Sequence, residues 1–235
     1  MKTAMILITE WHLQKLIVSI CFAMAALTSL AQGPVSFHAK VGVGTSNFWG
    51  KHSSSETKIA YKAGIGAEYA LNKTWIVQSA LELVSIGGKD EIEYIGKANI
   101  NELYLQIPVM LAARLTMGKD YHASLSVGPY VAMGIGGKSS GTIYNYSSSQ
   151  ESADRSFKMN TFGNMLDSNM GNQRLDAGIM MGITLEYHRF IFGAEAQVGF
   201  VSVNKQLNQR INPDGYREYL PKNFASFFTL GYRFW

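Results

Sequence analysis

Residues 99–115 read Asn99-Ile-Asn-Glu-Leu-Tyr-Leu-Gln-Ile-Pro-Val-Met-Leu-Ala-Ala-Arg-Leu115. Leu103, Leu105, Ile107, Val109 and Leu111 fall on one parity, and Glu102, Tyr104, Gln106 and Arg114 on the other. Strict alternation of this kind is the signal of a half-buried β-strand, because successive side chains point to opposite faces of a sheet. The segment is long. Soluble strands average about 5–6 residues, whereas strands that cross a membrane need about 9–11.

The same period recurs along the chain. In 35–46, Val35, Phe37, Ala39, Val41 and Val43 alternate with Ser36, His38, Lys40, Gly42 and Gly44. In 58–71, Ile59, Tyr61, Ile65, Tyr69 and Leu71 oppose Lys58, Lys62, Gly64 and Glu68. In 74–87, Trp75, Val77, Leu81 and Leu83 oppose Gln78 and Glu82. In 121–137, Leu125, Val127, Val131, Met133 and Ile135 oppose Ser124, Ser126, Gly128 and Gly134. In 174–187, Leu175, Ile179, Met181, Ile183 and Leu185 oppose Arg174, Asp176, Gly178 and Glu186. In 190–203, Phe190, Phe192, Ala194, Val198 and Phe200 oppose Gly193, Glu195 and Gln197. In 223–235, Phe224, Phe228, Leu230, Tyr232 and Phe234 oppose Thr229, Gly231 and Arg233.

These segments predict an all-β fold: an eight-stranded antiparallel up-and-down transmembrane β-barrel over residues 32–235. The links alternate in length. Those near 47–57, 88–98, 138–173 and 204–222 are long, while 72–73, 116–120 and 188–189 are short. Outer-membrane barrels have short periplasmic turns and long extracellular loops. A soluble, lipocalin-like barrel would turn the apolar face inward around a ligand. The strand length, the charge confined to one face and the closing aromatics Tyr232, Phe234 and Trp235 favour the membrane.

Composition agrees. Only 16% of the 235 residues are charged, against about 25% in typical soluble domains. Apolar residues make up 47%, yet mean hydropathy is near zero, as expected when lipid-facing and lumen-facing positions cancel. Residues 1–31 read as a signal peptide. Lys2 and Lys15 carry positive charge, Leu16 to Leu30 is mostly apolar, and Ser29-Leu30-Ala31 is a small-x-small cleavage site. Export to the outer membrane, with the mature chain starting at Gln32, is therefore expected. The sole cysteine, Cys21, lies in that leader, so disulfides and thiolate metal sites are not expected. Without Lys2, Lys15 and Glu10 the net charge falls from +4 to +3. That is too mild and dispersed for a nucleic-acid partner.

The stretch Tyr104-Leu105-Gln106-Ile107-Pro108-Val109-Met110-Leu111 resembles a strand of the PorT-like outer-membrane β-barrel family. Gly128-Pro129-Tyr130-Val131, Asp176-Ala177-Gly178-Ile179, Phe192-Gly193-Ala194-Glu195 and Leu230-Gly231-Tyr232-Arg233-Phe234 are similar to others. The resemblance implies architecture and location. The founding member of that family is a protein-secretion accessory, and most relatives have no assigned activity.

Several motifs weigh against chemistry. Residues 132–139 fit a relaxed phosphate-loop pattern, but no helix signal follows Lys138-Ser139, and such a loop needs a helix N-terminus. His122 and Ser124 share a face, as a nucleophile and base would, but that face points to the lumen. Asp167, Asn169 and Gly171 lack the further acidic ligands of a calcium loop. His38, His52 and His188 show no ligand spacing. Pro108 reads as a bulge or bend, because proline removes a ladder hydrogen bond. No catalytic residue, metal or cofactor is expected.

The inward set holds Lys40, Lys62, Arg114, Arg174 and Arg233 against Glu68, Glu82, Glu102, Asp176, Glu186 and Glu195. Five basic and six acidic residues predict an ion-paired lumen, since an unpaired buried charge is costly; a polar passage is the other reading. Tyr144, Tyr146, Phe157 and Phe162 in the long loop are candidate contacts for a protein or glycan. Other partners expected are outer-membrane lipid and, through the C-terminal aromatic strand, the barrel-assembly machinery. The function expected is a structural, adhesive or assembly/secretion-accessory role without catalysis. The alternatives are a lipid-modifying outer-membrane enzyme or a soluble periplasmic ligand-binding barrel.

Overall fold

The computed structural model describes residues 34–50, 55–92, 96–143, 155–211 and 220–234. The leader 1–31, Tyr144, Tyr146 and Trp235 lie outside the described residues. Eight strands form the wall: β1 (Val35–Trp49), β2 (Lys58–Ala70), β3 (Trp75–Ile92), β4 (Gly96–Met117), β5 (Tyr121–Gly136), β8 (Leu175–Tyr187), β9 (Phe190–Ser202) and β10 (Lys222–Arg233). Between β5 and β8 lie β6 (Lys138–Ile143) and β7 (Arg155–Asn160), and a short helix α1 (Lys205–Ile211) precedes β10. Each wall strand pairs antiparallel with its neighbour in that order. The ring closes where β1 meets β10, with Val41 opposite Leu230 and Ala39 opposite Tyr232. No strand of the wall is left with an open edge, which is what lets a sheet sit in lipid.

The outward face is apolar all round. On β4 it presents Ile107, Val109 and Leu111, on β5 Leu125, Val127 and Val131, and on β8 Ile179, Met181 and Ile183, all exposed. The inward parity holds Lys62, Glu82, Gln106, Glu195 and Gln197, all buried. A soluble ligand-carrying barrel has the opposite orientation, so that reading is overturned. At the short-turn end the rings of Tyr121 and Tyr187 stack at 4.7 Å and Phe190 meets Tyr232 edge-on at 5.5 Å. At the other end Lys222 lies 5.2 Å from the centre of the Trp49 ring. Aromatic girdles at the two margins of an apolar band belong to membrane barrels.

Three expectations change. First, 88–98 is not a long link: β3 and β4 continue as a paired hairpin as far as Ile92 and Gly96. Above the apolar band neither face meets lipid, so the ladder persists while the period-two hydrophobicity that would announce it disappears. Second, 138–173 is partly sheet. Gly137 takes φ +150, a conformation open mainly to glycine. There the chain breaks from β5, and β6 pairs with residues 96–99 of β4 while β7 pairs with β6. Third, Pro108 makes no bulge. The β3–β4 and β4–β5 registers are the same on either side of it, and Ser79 Oγ donates to its carbonyl at 2.9 Å. The register shift lies instead where Leu103 and Tyr104 meet Gly136 and Gly134.

Candidate functional site

The bore is filled by side chains in layers. Nearest the short turns, Glu68 on β2 and Glu186 on β8 meet Arg114 on β4 and Arg233 on β10. Arg114 is 2.6 Å from Glu68 and 3.3 Å from Glu186, and Arg233 is 2.8 Å from Glu68 and also bonded to Glu186. Gln78 donates to the second oxygen of Glu68 at 2.9 Å, and Arg233 also donates to Ser36. In the middle layer, Lys62 lies 2.9 Å from Glu82 and 2.5 Å from Glu195, and Lys40 lies 2.9 Å from Glu195. Gln106 donates to Glu82 and to Gln197, both at 3.2 Å. Each layer contains two cations and two carboxylates. Charge is therefore neutralised locally, the condition under which buried ions are tolerable.

The upper layer departs from that rule. Glu102 on β4 and Asp176 on β8 are buried, and among the described residues neither contacts a lysine or arginine. Neutral donors serve them instead. Asn172 donates to Glu102 at 2.8 Å, while Tyr130 and Asn223 each donate to Asp176 at 3.1 Å. One oxygen of Glu102 has no hydrogen-bond partner.

Arg174, assigned by parity to the lumen, is a correction. It lies one residue before β8 begins, where the ladder no longer sets its direction, and it is exposed. Its guanidinium sits 5.6 Å from the Phe162 ring centre and donates to the Gly134 carbonyl at 2.9 Å. Phe162 is also corrected: it is not a free contact residue. It is 4% exposed and stands edge-on to Tyr104 at 5.4 Å. It fits because Gly134 leaves room; a Cβ there would come within 2.4 Å of the ring. Phe157, on β7, is half-buried against Gly141.

Above Phe162 the long connections form a cap. Asn204 caps α1 by accepting from Leu207 N at 2.8 Å. Its amide nitrogen donates to the Met170 carbonyl at 2.8 Å and to Asn172 at 3.0 Å. The cap is thus tied through Asn172 to the buried Glu102. Parity could not reveal Asn172 or Asn204, because neither lies in a strand. Asn223 was legible, since it shares the inward phase of Thr229, Gly231 and Arg233.

The discounted motifs take structural positions. Gly134 and Gly137 serve the plug and the kink, and the segment after them is strand rather than helix. His122 Nδ1 has no hydrogen-bond partner, and Ser124 is buried without bonding to it. The amide of Asn169 donates to the carbonyls of Asn164 and Asp167, both at 3.3 Å. Its amide nitrogen is therefore spent within its own turn. No group of three or more His, Cys, Asp or Glu side chains that could hold a metal occurs among the described residues.

A closed, apolar-belted barrel with a packed polar bore defines a class of membrane protein, and the chain belongs to the outer membrane protein beta-barrel domain family, which matches residues 30–205. Similar solved structures include Ail, the attachment invasion locus protein of Yersinia pestis. It has 12% identity and a TM-score of 0.40, over 85% of this chain and 98% of that one. OprG from Pseudomonas aeruginosa has 10% identity and a TM-score of 0.41, over 86% and 98%. Neisserial surface protein A has 11% identity and a TM-score of 0.37, over 84% and 95%. No curated protein matches the chain.

Proposed function

We propose that the protein is a closed outer-membrane platform: its wall anchors it in lipid, and its cap engages a protein or glycan partner in a structural, adhesive or assembly role. The observation that carries this reading is the pair of neutral ion-paired layers spanning the bore. Opposite charges joined across a lumen oppose passage, and among the described residues His122 and Ser124 are not bonded to each other as a base and nucleophile would be. Eight strands enclose a space that side chains can fill, whereas aqueous channels belong to barrels of about 16–18 strands.

In this reading the short turns face the periplasm and the cap faces outward. The leader 1–31 is removed after Ala31, and the aromatic series of β10 is what the assembly machinery reads. The PorT-like strands around Tyr104–Leu111 point to a component of a secretion assembly as one such partner.

Leu166, on the 3-10 turn of the cap, is 79% exposed and is the natural probe. Partners retained by the wild-type protein from detergent-solubilised outer membranes should be lost with Leu166→Asp, while barrel assembly is unchanged. Identical partner sets, or a steady conductance, would refute the platform reading.

A further inference from the structure

The cap contains a second apolar core that the described residues do not fill. Phe48, Ile100 and Val203 form a buried cluster separate from that of the bore, with Ala98 and Met170 packed against it. Beside it lies a cavity of about 340 Å³, bounded by the tops of β1 and β4, the β6–β7 hairpin, the 165–172 segment and the start of α1. Its wall is mostly hydrocarbon and thioether, with Phe48, Ile143, Phe157, Met159, Met170 and Leu207 prominent in it. Ile143 is exposed and marks the rim.

Few polar side chains reach this wall: Lys97 and Ser168 are exposed and stand at its rim, Thr142 is half-buried, and the asparagines are largely committed. Both functional ends of the Asn204 amide are bonded within the cap, and Asn172 Nδ2 is given to Glu102. The Asn169 amide is turned onto backbone carbonyls. A polar occupant would have to give up its own water for few hydrogen-bonding groups in return, which is unfavourable. An apolar occupant loses nothing and restores the contacts that a void denies its lining. Ligand pockets run from roughly 300 to 1,000 Å³. The methionines suit an unbranched, variable chain, since they are flexible and polarizable.

We propose that this cavity binds a hydrocarbon chain, with room for on the order of ten carbons if each takes the ~30 Å³ of a liquid water. The chain belongs either to a membrane lipid or to a free monoacyl amphiphile. The inference goes beyond the platform reading and does not depend on any partner.

The test uses the full chain in phospholipid nanodiscs, titrated with n-alkanols of increasing length by calorimetry. Affinity should rise about fourfold per methylene and stop rising once the cavity is full. Met159→Trp and, independently, Leu207→Trp should abolish this binding, while heat-modifiable gel mobility shows that the wall still assembles. Leu166→Asp, outside the cavity, should bind normally. Native mass spectrometry separates the sources. A phospholipid retained by the wild type and absent from both Trp variants identifies a membrane lipid. Alkanol binding with no retained phospholipid identifies a free amphiphile. Neither a retained lipid nor a chain-length dependence, or equal binding by the Trp variants, overturns the proposal and leaves the cavity as solvent or as a seat for the chain's own loops.

Discussion

Lys62 Nζ lies 2.5 Å from Glu195 Oε2, although β1 and β10 stand between their two strands in the wall. The pair is a chord across the bore. Because both side chains are buried, each end depends on the other for its charge to be tolerable.

Removing that lysine should be costly in a specific way. Glu195 keeps Lys40, but Lys62 is the only cation within ion-pair distance of Glu82 among the described residues. Lys62→Met should lower stability by about 3–5 kcal/mol, as expected when one partner of a buried pair is lost. Adding Glu82→Gln should recover a large part of that loss. Urea unfolding in detergent would measure both. A double variant no more stable than the single one would mean that Glu82 was not the orphaned group.

The same chords make a prediction about conduction. Purified protein in a planar bilayer should show no steady porin-like current at neutral pH. A large, reproducible open state would mean that the two ion-paired layers part in the membrane, and would put diffusion ahead of anchoring as the protein's role.

On the lipid side, cost should depend on depth. Val109 lies midway along the outward face of β4, while Leu115 lies close to the short-turn end. An arginine at the bilayer midplane of a barrel costs about 2–4 kcal/mol, falling to about 0–1 near the interface. Val109→Arg should therefore destabilise the liposome-inserted barrel well beyond Leu115→Arg. Equal costs at the two sites would mean that the band is misplaced along the strand.

One ring seats the cap on the bore, beside the asparagine ties and the β4–β6 ladder. Phe162→Ala removes a buried aromatic, a change worth about 3–5 kcal/mol in a packed core. Gly134→Ala should act alike, since its Cβ would occupy the place of that ring. In both variants trypsin should reach Lys158 and Lys138 faster, with the wall still heat-modifiable. Unchanged protection in both would show that the asparagine ties and the β4–β6 ladder secure the cap without the ring.

How much of this could be read in advance follows from what period two encodes. Parity assigns a face, and on β4 it separated Val109 from Gln106 and Arg114 correctly. It carries no information about height along the bore, so counting charges could not reveal that Glu102 and Asp176 form no ion pair with the described residues. It also fails one residue past a strand end, as Arg174 shows. The cap was least legible. The β6–β7 hairpin has no lipid to enforce alternation, and Asn172 and Asn204 act from irregular backbone.

The seam between β1 and β10 has a consequence in time. Arg233 bonds to Ser36 over 197 positions of chain, and the ladder from Val41–Leu230 to Ala39–Tyr232 joins the first strand of the wall to the last. Contacts so remote in sequence form slowly, because loop closure must precede any reward. The first strand therefore keeps an edge unpaired until the last strand is in place, and an unpaired edge invites other strands. Mispairing of β1 is open until β10 arrives, so the hazardous moment in this protein's life comes before the wall exists.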